Sequence, residues 1–207
     1  MKIALFGAGG TIGQRILKEA LNRSHEVTVF ARDPSKITGA PAVKADVLDS
    51  FGVATEIRGY DLVISAIGPR AGEDVQIVPK AATALIAAVK QTSVPRLLVV
   101  GGAGSLQVEP GVQLVDTPQF PAAWRGIAIA HRDALDIYRN CDIDWTYFSP
   151  AIFIQPGERT GRYRVGSDEV LMDSTGQSRI SAEDYAVAIL DEVENPKLSR
   201  RRVTIAY

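Results

Sequence analysis

Gly7-Ala8-Gly9-Gly10-Thr11-Ile12-Gly13 follows the apolar run Ile3–Phe6 at once and leads directly into a segment of helical period, Ile12–Asn22. Strand, glycine loop and helix in that order are the opening of a βαβ unit. The glycines serve three needs: a tight turn at angles that side chains resist, close approach of a diphosphate to backbone without Cβ, and tight packing of the helix on its strand. The first turn of such a helix offers free N–H groups and partial positive charge to phosphate oxygens. Gly7, Gly10, Thr11, Ile12 and Gly13 are therefore candidate dinucleotide-binding residues, and the surrounding strand and helix make the motif more than a flexible turn.

Outward from this loop the rhythm repeats. Short apolar runs at Val27–Ala31, Leu62–Ala66, Leu97–Val100, Trp145–Phe148 and Val203–Ala206, with a weaker one at Ala42–Lys44, predict strands. Uninterrupted apolar runs suit strands covered on both faces, as in a parallel sheet. Val75–Gln91, Ala122–Arg139 and Ser181–Glu194 read as helices, the last opening on Ser-x-x-Asp, a relative of the capping box. The expectation is an α/β fold over residues 1–207: one Rossmann-type domain, a doubly wound parallel sheet with helices on both faces. Gly101–Pro121 and Pro150–Gly176 lack regular pattern, and each follows a strand's carboxyl end, where open α/β sheets bind ligands. About 150–180 is thus the expected substrate-side loop region, and Gln107–Gln119 a lid.

Composition excludes other classes. With 46% hydrophobic residues in 207, the chain can enclose a core without staples. Lys and Arg total 23 against 24 Asp and Glu, so nothing selects nucleic acid or an anionic membrane. Cys141 stands alone, which rules out an intrachain disulfide or a thiolate zinc cluster and suits a reducing compartment. No metal is expected. Neither a signal-type apolar stretch at the N-terminus nor a membrane-length run is present, so the expected location is cytoplasmic, as monomer or homodimer.

The end of the second strand decides which dinucleotide is read: an acidic residue there accepts from a ribose 2′-hydroxyl, an arginine takes a 2′-phosphate. Arg32 occupies that place, with Asp33 next and Pro34 marking Asp33 as the start of a turn. NADP(H) is favoured over NAD(H), the competing reading being a solvated surface arginine.

The spacing Gly7-x-x-Gly10-x-x-Gly13 resembles that of the extended and atypical branches of the short-chain dehydrogenase superfamily. More specifically, several stretches are similar to atypical short-chain reductases named NADH-flavin reductases, near the NmrA-like and biliverdin-reductase-B groups. They are Val29-Phe30-Ala31-Arg32-Asp33, Val99-Val100-Gly101-Gly102-Ala103-Gly104-Ser105-Leu106, Asp144-Trp145-Thr146-Tyr147-Phe148-Ser149-Pro150, Pro156-Gly157-Glu158-Arg159-Thr160-Gly161 and Ser178-Arg179-Ile180-Ser181-Ala182-Glu183-Asp184-Tyr185-Ala186. The resemblance runs the length of the chain. It implies that Asp46 and Val47 meet adenine, that Ala66, Ile67 and Gly68 let backbone pass the ribose, that Ser149 and Pro150 sit beside the nicotinamide, and that Ser105 and His131 are the catalytic candidates. Ser105 reads equally as a turn serine and His131 as a helix-surface histidine. Arg70 either faces an anionic group or is solvated, and Trp124 and Phe120 could cover a ring. Arg159, Arg162, Tyr163 and Arg164 either favour an acidic acceptor or form a solvated edge.

The superfamily's Tyr-x-x-x-Lys acid is absent, since no lysine here has a tyrosine four residues before it. What remains suits a planar small-molecule acceptor that needs little acid–base help, such as FMN, FAD or a quinone. The alternative is an NmrA-like sensor that binds NADP(H) without turnover.

Overall fold

The computed structural model describes residues 1–70 and 72–207. In chain order the elements are β1 (Lys2–Phe6), α1 (Thr11–Asn22), β2 (Glu26–Ala31), β3 (Ala42–Lys44), α2 (Ser50–Glu56), β4 (Leu62–Ser65), α3 (Ile77–Lys90), β5 (Leu97–Val100), β6 (Gln107–Glu109), β7 (Val112–Gln113), α4 (Ala122–Arg139), β8 (Trp145–Pro150), β9 (Phe153–Gln155), β10 (Arg164–Gly166), β11 (Arg179–Ser181), α5 (Ala182–Glu194) and β12 (Arg201–Ala206). The main sheet has eight strands in the order β10-β12-β8-β5-β4-β1-β2-β3, all parallel except the edge strand β10. From β1 the chain winds outward through β2 and β3, then returns to β4 and winds the other way. The switch between β1 and β4 opens a crevice at the strands' carboxyl ends.

Strand alternation explains the unbroken apolar runs. Ile3 and Leu5 of β1 face α1 and α5 in one core, with Ile16, Val29, Ile64 and Ile189, whereas Ala4 and Phe6 face α2, α3 and α4 in the other, with Phe30, Leu85 and Leu135. Both sides of the strand are thereby dry, and each fully enclosed Leu, Ile or Phe contributes about 1.5–3 kcal/mol. α5 starts as its sequence predicts, with the Ser181 Oγ accepting from the Asp184 N–H at 3.0 Å. Asp49 caps α2 by accepting from the Gly52 N–H at 3.0 Å. That helix went unread because seven residues are too few to show a period.

The two pattern-poor stretches differ from expectation. Gln107–Gln119 is not a free lid: β6 and β7 form a hairpin there, Gln107 N–H donates to Asp168 O (2.8 Å), Val170 N–H donates back to Gln107 O (2.9 Å), and Val115 is fully enclosed. Residues 150–180 contribute β9, which pairs with β11, and β10, which extends the main sheet antiparallel. Their middle is tied to α5 and α1. The buried Asp184 accepts from Thr160 Oγ1 (2.6 Å) and from the Gly161 N–H (2.7 Å), and Tyr163 Oη donates to Asp191 (2.5 Å). Side-chain-to-backbone and ion-pair bonds replace the periodic pattern that a sequence reading looks for.

Candidate functional site

The glycine loop lies in the crevice. Gly7 leaves β1 with φ +85, a left-handed conformation that disfavours side chains, and a Cβ there would sit 2.2 Å from the Ala66 carbonyl oxygen. A Cβ on Gly13 would sit 2.1 Å from the Gly7 oxygen. Those two glycines are demanded by the chain's own packing. Gly10 is different: its φ is −84, and a Cβ there would meet only the Gly7 oxygen, at 3.6 Å. A Cβ on Gly9 would meet nothing within 4 Å. Gly9 and Gly10 thus present bare backbone to open space, at the start of a helix whose leading N–H groups no side chain caps and whose first turn carries no acidic residue. An anion fits this cradle by charge and by room.

At the end of β2, Arg32 donates from Nη2 to Glu73 Oε1 at 2.6 Å. Arg32 is thus half-exposed and paired with a carboxylate of its own chain. Asp33 is used locally, accepting from Ser35 N–H and Oγ and pairing with Lys36 at 3.1 Å, so it begins the turn that Pro34 predicts. Asp46 is exposed and its Oδ1 accepts from the Leu48 N–H at 3.0 Å, while Val47 is buried against the second core. After β4, Ala66 touches Gly7, Ile67 is half-buried, and Gly68 and Arg70 are exposed.

On the other side of the switch, the run Gly101-Gly102-Ala103-Gly104 is where β8 and α4 press on the chain leaving β5. A Cβ on Gly101 would fall 2.0 Å from a Tyr147 ring carbon, one on Gly102 2.9 Å from the His131 Cβ, and one on Gly104 2.6 Å from the Ala128 Cβ. Tyr147 Oη donates to the His131 carbonyl at 2.9 Å and accepts from the Gly102 N–H at 3.3 Å. His131 Nδ1 lies 3.3 Å from the same oxygen. With the phenol proton committed to the carbonyl, Nδ1–H is the donor and Nε2 keeps its lone pair. Burial pushes the His131 pKa down to about 4, so the ring is neutral at pH 7. His131, Tyr147 and Ser65 also line a cavity of about 10 Å³, room for one water at most.

The other acceptor-side candidates are enclosed. Ser105 is 4% exposed, and its Oγ accepts from Arg202 Nη1 at 3.0 Å, inside a cluster with Asp168. The structure thus gives its hydroxyl a packing partner on the β12 side in place of the open crevice. Ser149 and Pro150, the last residues of β8, are buried, and the Ser149 Oγ has no hydrogen-bond partner. Neither side chain reaches the surface. Trp124 is in the first turn of α4 and 65% exposed, in a stripe with Ile127 and His131 at helical spacing; Phe120 is half-buried under the Arg125 guanidinium. Among the loop residues, Arg159 pairs with Glu19 (2.7 Å), Tyr163 with Asp191, and Arg164 with the Tyr207 carbonyl (2.9 Å). Arg159, Tyr163 and Arg164 are thus spent holding the loop, while Arg162 is exposed and, among the described residues, bonds only through its backbone N–H, to Thr160 Oγ1. Glu73 carries no local motif, and Tyr147, though inside the 144–150 stretch quoted above, gives no local sign of its partner; only the fold brings them to Arg32 and His131.

Among the described residues no group of three or more His, Cys, Asp or Glu is placed to hold a metal ion, and no helix is long and apolar enough to cross a membrane.

A sequence model for a family described as NAD(P)H-binding matches residues 7–196. The chain is 41% identical to the uncharacterized protein YwnB of Bacillus subtilis over 211 aligned positions, covering 99% of this chain and 98% of that one. A crystal structure of a Burkholderia pseudomallei protein, provisionally named as exported, superposes with a TM-score of 0.92 at 48% identity, with 100% of both chains covered. A Streptococcus pneumoniae protein, provisionally named an NADH-flavin reductase, superposes with a TM-score of 0.92 at 33% identity over 100% of this chain and 99% of that one.

Proposed function

The chain belongs to the NAD(P)H-binding family, and from that premise we propose that it is an oxidoreductase with a preference for NADPH, passing hydride to a flavin (FMN or FAD), a quinone or a similar planar acceptor. The observation that carries the reading is the cradle of bare backbone at Gly9 and Gly10, flanked on one side by Arg32 with an anion already on its guanidinium. Bound NADPH supplies the hydride. The chain's own work is binding and alignment, which by itself can lower a barrier by several kcal/mol.

Gly7 and Gly13 shape the loop, while Gly10, Thr11 and Ile12 receive the diphosphate at the start of α1. Arg32 takes the 2′-phosphate, Asp46 and Val47 border the adenine, and Ala66, Ile67, Gly68 and Arg70 form the wall on the β4 side. Ser149 and Pro150 hold the floor beneath the ring. His131, fixed by Tyr147, presents Nε2 as an acceptor for a polar N–H or O–H, and the exposed Trp124 offers a face on which a planar acceptor stacks. Ser105 acts through Arg202 on the position of the chain leaving β5. The lone buried Cys141 suits a reducing compartment, and the cytoplasm is the proposed location.

The test is steady-state NADPH oxidation with FMN, FAD and quinones, each above solution background. A second reading, an NADP(H)-binding sensor without turnover, is favoured by one observation: Ser105 and Ser149 are enclosed and His131 is neutral, so none of these candidates offers an exposed acid. Tight NADP(H) binding with no turnover on any planar acceptor selects that reading.

A further inference from the structure

After β4, Arg70 and Glu73 bond to each other through backbone and side chain. The Glu73 N–H donates to the Arg70 carbonyl at 2.9 Å, the Arg70 N–H donates to Glu73 Oε2 at 3.0 Å, and Gly72 between them has φ +80. The carboxylate is thereby aimed, and its other oxygen receives Arg32 Nη2 at 2.6 Å. Since β2 and β4 flank β1, this one ion pair joins the two sides of the crevice from which the glycine loop emerges. The Arg70 N–H and the Arg32 guanidinium hold the Glu73 pKa below the usual carboxylate range, so the group stays ionised at neutral pH. Asp33 cannot substitute for it, being committed to Ser35 and Lys36.

We propose that Glu73 sets the dinucleotide specificity of the site: its carboxylate competes with a 2′-phosphate for Arg32 and holds the preference for the phosphorylated dinucleotide below what Arg32 alone would give. The proposal rests on the reading of the crevice as the NAD(P)H site. The Arg32 and Glu73 side chains are 49% and 30% exposed, and ion pairs so wetted add little to stability. The pair therefore opens without disturbing the fold, which makes it a filter and not a lock. A free 2′-hydroxyl asks nothing of Arg32, whereas a 2′-phosphate must draw the guanidinium away from Glu73.

The experiment is calorimetric titration of the full chain with NADPH and NADH, read as the ratio Kd(NADH)/Kd(NADPH). Glu73→Gln and Glu73→Ala are each expected to raise that ratio about tenfold, and Arg32→Ala to lower it. In the Arg32→Ala background, Glu73→Gln should leave the ratio within twofold, because the competition needs both partners. Should Arg32→Ala lower the ratio while both Glu73 variants leave it unchanged, the filter is overturned and the site reading stands. A ratio indifferent to Arg32→Ala overturns the filter, and so does a wild-type chain that binds neither dinucleotide; the latter overturns the site reading with it.

Discussion

Tyr147 Oη lies 2.9 Å from the carbonyl oxygen of His131 and 3.3 Å from Nδ1 of the same residue, so a single phenol on β8 fixes both the backbone and the ring of a residue on α4. This joins the sheet to the helix at the carboxyl edge, where the acceptor is proposed to bind. The bond also decides the tautomer, leaving Nε2 as the free nitrogen. Tyr147→Phe should lower stability by about 1–3 kcal/mol, the cost of leaving the Gly102 N–H and the His131 Nδ1–H without their acceptor. Urea unfolding measures that loss, and a fall in kcat/KM with the acceptor should accompany it.

His131 makes stability depend on pH in a defined window. Its folded pKa of about 4 lies below the ordinary value of 6.5, so between those values the unfolded chain binds the extra proton and stability falls as pH is lowered. This stabilisation is fully present above pH 6.5 and lost below pH 4, and it amounts to on the order of 3 kcal/mol. Comparing urea unfolding at pH 7 and pH 4.5, wild type should lose more stability than His131→Gln. An equal loss in both would show that the ring is not desolvated as described.

Within the glycine loop, position decides the phenotype. Gly10→Val should keep a folded chain and lose NADPH binding, because the new side chain enters open space where the diphosphate must come, and its backbone at φ −84 tolerates a branched residue. Gly7→Ala should instead lower Tm, since its Cβ would strike the Ala66 carbonyl and its φ is left-handed. Circular dichroism melts and a binding titration on the two variants separate the cases.

Turnover should weigh on His131 more than on Ser105. His131→Ala is expected to reduce kcat/KM by roughly tenfold to a hundredfold, the low end of what one positioned polar group contributes. Ser105→Ala removes an acceptor from the buried Arg202 and should cost mainly stability, about 1 kcal/mol. A larger kinetic loss in Ser105→Ala than in His131→Ala would reverse this assignment.

Asp184 is fully buried and anchors residues 160 and 161 as well as the Tyr207 hydroxyl, which donates at 2.8 Å. Asp184→Ala strands three donors and should destabilise by about 3 kcal/mol or more. Urea unfolding checks this, and release of the 156–163 segment should appear as a new site of proteolysis.

The strand runs, the glycine loop and the helices Ala122–Arg139 and Ser181–Glu194 were legible in the sequence because their signals are local: unbroken apolar residues, missing Cβ atoms, a 3.6-residue period and a capping serine. Those features also determined the doubly wound sheet, since a parallel strand needs both faces dry and a crossover helix on each side. Arg32 could be placed at the end of β2 for the same reason, as its position along the chain is its position in the crevice. The partners of Arg32, Ser105 and His131 were decided only by the tertiary structure. Glu73 reaches Arg32 across 41 residues, Arg202 reaches Ser105 across 97, and Tyr147 reaches His131 from a neighbouring strand, contacts that leave no periodic trace in the sequence. A side chain's chemistry depends on which groups surround it and whether water does, and that is settled when the sheet closes.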